Sequence, residues 1–249
     1  MRLDAHPVSD TLTEMAKPLA LAGIRHVRPV EPVDFPSSDP EWDMPESKRH
    51  RRLCFLLYEI LTRHLGASSS VGSDQFVYFD RSNPRRCLAP DAFVKVGVPD
   101  EEFASWKTWT KGAPELCVEV LSPSDTTEKL SFAEKLLRYH ALGALELVVF
   151  EVDAPEGQRL RVWDCIAEDL VERVVEGDTT PCVTLGLQWV LAPGGPELPV
   201  ALRLAHPSGE LLPTGEEAER AAKEAERAAR EEAEREVARL RNLLAERGQ

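Results

Sequence analysis

Three residues in this chain have the types and settings for acid and ammonium chemistry. Asp91 follows Pro90 at the start of a strand-like run, Glu119 lies inside the apolar run 115–121, and Lys135 lies on the helical segment after it. Carboxylate oxygens are the ligands a hard divalent cation prefers, and a nearby ammonium can orient a water or neutralise charge developing on a phosphoryl oxygen. Each residue also has a purely structural reading. Asp91 after a proline suits a strand-entry turn, Glu119 shares its strand face with Glu115 and Cys117, and Lys135 is an ordinary surface-helix lysine with Lys129 as its competitor. Glu46 ends an Asp43-x-x-Glu46 pattern, so it either caps a helix or, seven residues before Leu53, faces inward. His50, four residues on, reads as a partly buried polar residue rather than a ligand. Other chemistries lack a motif: there is no Gly-rich phosphate loop, no G-x-S-x-G and no H-E-x-x-H, and no organic cofactor is expected.

The elements that must position these residues follow from periodicity. Leu53, Leu56, Leu57, Ile60, Leu61 and His64 recur at helical spacing and predict a helix over 46–65, ending before Gly66. Residues 71–80 and 87–96 read as two strands of a hairpin around the Arg81-Ser-Asn-Pro-Arg-Arg turn. Residues 115–121 are apolar on nearly both faces, which predicts a central, covered strand. The Asp125-Thr-Thr-Glu128 pattern opens a helix to about Leu142, and 145–152 is the next strand, giving a β-α-β unit. A later hairpin is predicted at 159–163 and 170–175, then short strands between Pro181 and Leu212.

Both ends differ in composition. Residues 1–41 are rich in proline and acid and predict an extended arm, leaving 42–213 as the folded domain. Residues 214–249 form a third region. Between Glu216 and Arg247 there are ten acidic and eight basic residues, no Gly or Pro, and small apolar residues in steps of three and four. That pattern predicts one helix about 48 Å long, and its apolar stripe predicts a coiled coil in a homodimer.

The chain has 249 residues, 43% of them hydrophobic, enough for a sizeable core, yet nothing approaches the roughly 18 apolar residues of a membrane span. Five cysteines, odd in number and never in a C-x-x-C pair, predict reduced thiols and a cytoplasmic protein. Net charge is −13, which disfavours a polyanionic partner overall. Residues 46–95 nonetheless carry nine Lys/Arg against five Asp/Glu, a local +4 that leaves −17 elsewhere.

Three segments together carry a resemblance: Asp91 in Ala-Pro-Asp-Ala-Phe-Val, Glu-Leu-Cys-Val-Glu-Val-Leu-Ser-Pro-Ser at 115–124, and Glu-Lys-Leu-Leu-Arg-Tyr-His-Ala-Leu-Gly at 134–143. The chain resembles the Uma-two endonuclease family of the PD-(D/E)XK restriction-endonuclease-like superfamily. The resemblance implies an α/β fold, with a restriction-endonuclease-like mixed sheet flanked by helices, and metal-dependent hydrolysis of phosphodiester bonds in DNA. It makes Asp91 and Glu119 the metal carboxylates, Lys135 the catalytic lysine, Glu46 an additional acid and Mg²⁺ the cofactor, with Mn²⁺ able to substitute. The superfamily pattern places a lysine two residues after the second acid, where this chain has Leu121, so the lysine has moved to the helix. Arg81, Arg85 and Arg86 at the hairpin tip are the expected phosphate contacts. The rival expectation is a nuclease fold that no longer cuts and recruits partners through its coil.

Overall fold

The computed structural model describes residues 47–121 and 130–247, with side chains to 242. Helix α1 spans Lys48–Leu65 and buries one stripe: His50, Leu53, Cys54, Leu56, Leu57, Ile60 and Leu61. Its N-cap is Ser47, whose hydroxyl accepts the His50 N–H at 3.1 Å. The expected box at 43–46 lies outside the described residues.

Four short strands follow: β1 (Ser69–Gly72), β2 (Val77–Tyr78), β3 (Cys87–Leu88) and β4 (Ala92–Val96). They make the predicted hairpin as two separate ladders that share one offset, Ser69 opposite Val96 and Val77 opposite Leu88, and its base and its tip belong to different sheets. The base is closely packed, since a β-carbon at Gly72 would lie 2.1 Å from the Phe93 ring. Next come β5 (Trp106–Lys107), a single turn α2 (Thr108–Lys111), β6 (Leu116–Leu121), α3 (Phe132–Leu142), β7 (Glu146–Glu151), β8 (Leu160–Ile166) and β9 (Asp169–Arg173). The main sheet has six strands in the order β1-β4-β6-β7-β8-β9, and β6–β7 is its parallel pair. A small sheet, β3-β2-β5, continues the hairpin tip.

Strand β6 is third of the six and buried at five of its six positions, as its apolar sequence requires. Because side chains alternate along a strand, Leu116, Val118 and Val120 meet the α1 stripe, while Cys117 meets Tyr139 and Leu142 of α3. The two helices therefore cover opposite faces. Helix α3 starts later than the capping pattern at 125–128 suggests. Ser131 is extended (φ −64°, ψ 154°) and forms a capping box with Glu134, so the chain cannot be helical from 125 through 142. Residues 125–128 themselves lie outside the described residues. Gly143, at φ 88°, closes the helix in the left-handed region.

Strands β10 (Thr179–Cys182), β11 (Leu187–Ala192) and β12 (Ala201–Ala205) form a three-stranded antiparallel sheet whose Trp189, Leu202 and Leu204 join the α1 core. Helix α4 spans Gly215–Arg247. Its start is fixed three ways: Thr214 Oγ1 accepts the Glu217 N–H at 3.1 Å, Glu217 pairs with buried Arg203 at 2.7 Å, and the Gly215 N–H reaches Glu59 at 3.2 Å. Beyond Glu219 its described side chains are exposed and joined by pairs such as Lys223–Glu219 and Arg230–Glu234. Among the described residues no helix is long and apolar enough to cross a membrane.

Candidate active site

The hairpin breaks where β4 leaves the main sheet, and the break creates the site. Asp74 takes a positive φ of 63°, its N–H bonds the Pro90 carbonyl at 3.0 Å, and Pro90 has no N–H to continue the ladder. The Ser73 hydroxyl donates to the Asp91 carbonyl at 2.7 Å, fixing the backbone there. The β4–β6 ladder ends with Ala92 opposite Val118, and one further step of that register sets Asp91 opposite Glu119. At this position the Asp91 side chain replaces a ladder carbonyl: Oδ2 accepts the Val120 N–H at 2.5 Å. Its other oxygen, Oδ1, lies 3.0 Å from Nε2 of His50 on α1.

Glu119 is 4% exposed and points to the α3 side. Lys135 Nζ donates to Glu119 Oε2 at 2.8 Å, and the Tyr139 hydroxyl donates to Oε1. Lys135 and Tyr139 are four residues apart on one face of α3, so a single helix surface grips both oxygens. Burial pushes the Glu119 carboxyl up from 4.5 to about 7; Asp91's charge pushes the same way, while Lys135 and Tyr139 oppose it. Burial and the Glu119 charge also hold the Tyr139 phenol well above its ordinary range, so it remains a donor. Glu115, on the same strand face, does something else: it pairs with Lys95 and accepts the Val96 N–H at 2.9 Å, tying strands together.

The structure brings Asp91, just before β4, near Glu119 of β6 and Lys135 of α3. Glu46 and Lys129 lie outside the described residues. Arg81 and Arg85 are exposed on the β2–β3 turn, whereas Arg86 pairs with Asp80 at 3.4 Å and stacks over Phe79. Arg138, one position before Tyr139, donates to the carbonyls of Cys87 and Arg85 at 3.1 and 3.4 Å, docking this turn on α3. Tyr139 is a site neighbour that the sequence reading gave no role. Its signal was the i, i+4 spacing from Lys135. His50 was read as a buried polar residue, and it is one, but with Asp91 as its partner.

Two buried carboxylates one register step beyond the β4–β6 ladder, close enough for the charge of one to raise the pKa of the other, suit an oxygen-preferring divalent cation. A mixed sheet flanked by helices, with this acid pair at a strand break and a lysine on the β6–β7 crossover helix, fits the restriction-endonuclease-like class. The chain belongs to the Uma2 family, described as "Putative restriction endonuclease", whose model matches residues 41–194. No curated protein matches it.

Proposed function

We propose that the protein is a metal-dependent endonuclease that hydrolyses phosphodiester bonds in DNA at the Asp91–Glu119–Lys135 site. The observation carrying this reading is the convergence of two buried acids and a lysine, with Lys135 Nζ 2.8 Å from Glu119. Asp91 and Glu119 would hold Mg²⁺, or Mn²⁺ in its place. The ion, when bound, would supply positive charge to stabilise the attacking water and the leaving oxygen.

The chain's own residues do the positioning. His50 and the Val120 N–H hold the Asp91 carboxylate in one orientation, and Tyr139 holds Glu119. Lys135 presents an ammonium beside Glu119, where it can donate to an anionic phosphate oxygen. Exposed Arg81 and Arg85, with Arg86, would contact backbone phosphates, which suits a protein whose remaining surface is acidic and whose DNA footprint must be local. Helix α4 would pair with that of a second chain, giving a homodimer whose two sites address both strands. Its free thiols fit a reducing cytoplasm.

Crystals soaked in Mn²⁺ test the metal assignment by anomalous diffraction. The reading requires a peak touching both Asp91 and Glu119; a peak touching neither overturns it.

A further inference from the structure

A second set of metal-ligand types lies on the other side of Asp91. His50 and Cys54 are four residues apart on the buried stripe of α1, so their side chains stack on one helix face. One donor atom from each of His50, Cys54 and Asp91 lies within 4.8 Å of the others. All three residues are buried, at 6%, 3% and 7% exposure, and all three sit on or beside regular elements that fix them.

We propose that His50, Cys54 and Asp91 form a binding site for a borderline transition-metal ion of the Zn²⁺ or Co²⁺ kind. Tetrahedral bonds of about 2.0 Å to nitrogen or oxygen and about 2.3 Å to sulfur set donors roughly 3.3–3.5 Å apart, so the cluster needs shifts of only about an ångström. Sulfur and imidazole nitrogen select such ions and are poor ligands for Mg²⁺. Charge balance also favours the assignment. A divalent ion with one thiolate, one carboxylate and one neutral imidazole is a neutral unit, the form a buried site tolerates. Binding releases the Cys54 thiol proton to solvent as the metal–sulfur bond forms. Three protein donors leave a fourth position for water.

The site shares Asp91 with the proposed catalytic pair. On that reading alone, Zn²⁺ would draw Asp91 away and inhibit Mg²⁺-dependent cleavage, and Cys54→Ala would relieve the inhibition.

The direct test is titration of the full-length metal-free protein with Co²⁺ alone. One equivalent should give a thiolate-to-cobalt charge-transfer band in the near ultraviolet, displaced by Zn²⁺ and unmoved by an equimolar amount of Mg²⁺. Cys54→Ala should abolish the band. It should also weaken Co²⁺ binding more than about 100-fold, beyond the 10–100-fold cost of losing an outer partner of a ligand. Cys165→Ala, at the exposed cysteine, should keep the band. Glu119→Gln should also keep it while abolishing cleavage, so the metal site and the nuclease reading fail separately. The proposal is overturned by a band that survives Cys54→Ala or depends on Cys165, or by its absence from the wild type. Displacement of Co²⁺ by equimolar Mg²⁺ would overturn it without any variant.

Discussion

Glu119 gives the metal-free protein an unusual dependence of stability on pH. Its carboxyl is raised from 4.5 to about 7, chiefly by burial and further by Asp91, against the pull of Lys135 and Tyr139. The unfolded chain releases this proton near 4.5 and the folded chain keeps it to about 7, so between those values the folded state binds the extra proton. The contribution is therefore fully present below 4.5 and is lost as pH rises through 7. At about 1.4 kcal/mol per pH unit the loss totals about 3 kcal/mol. Other carboxylates run the opposite way, as Glu217 does beside Arg203, so the wild type alone does not isolate the effect. Glu119→Gln has no proton to lose, and the difference in unfolding free energy between it and wild type does. Urea unfolding with a chelator present, at pH 5, 6, 7 and 8, should show that difference falling by about 2 kcal/mol or more in the wild type's disfavour. A difference flat to within about 0.5 kcal/mol would refute the placement of Glu119 in a dry, acid-flanked site.

Three further outcomes follow from individual contacts. Glu146 is buried and accepts from Thr184 N at 2.9 Å, Val183 N at 3.3 Å, Trp189 Nε1 at 3.4 Å and Arg173 at 3.4 Å, joining β7 to the β10–β11 region; Glu146→Ala should cost about 3–5 kcal/mol in urea unfolding, and a loss under about 1 kcal/mol contradicts this. Arg85→Ala with Arg86→Ala should lower the slope of log affinity against log salt for duplex DNA by about 1–2, and an unchanged slope places the phosphate contacts elsewhere. Removing α4 after Ala222 keeps the Arg203–Glu217 pair and should leave a folded monomer by light scattering, whereas equal oligomeric masses with and without the tail show that α4 does not drive assembly.

Much of the frame was legible because periodicity reports burial. The α1 stripe, the doubly apolar β6, the crossover to β7 and the breaker-free α4 each follow from spacing, and Glu119 stood out as a charge in an apolar strand. The break in the hairpin was not legible. Residues 71–80 read as a single strand, and only the left-handed Asp74 facing Pro90 shows that the chain changes sheets and sets Asp91 against β6. The sequence reading opened α3 at Asp125–Glu128, because local chemistry there matches a capping box; the extended Ser131, boxed with Glu134, starts the helix at Phe132. Tyr139 was given no role, because its contact with Glu119 depends on which strand α3 covers. His50 was hidden for the same reason: a histidine on a buried stripe declares its partner only once α1 is laid against β4.

Cleavage of covalently closed plasmid by the purified full-length chain is the plainest test of whether the Asp91–Glu119–Lys135 site cuts DNA. Nicked and linear product is expected with Mg²⁺ or Mn²⁺ and none with chelator. Asp91→Asn and Glu119→Gln should be inactive while folded, and Lys135→Met slowed at least about 100-fold. Plasmid left intact by the wild type with either ion, or cut equally by folded Glu119→Gln, contradicts it.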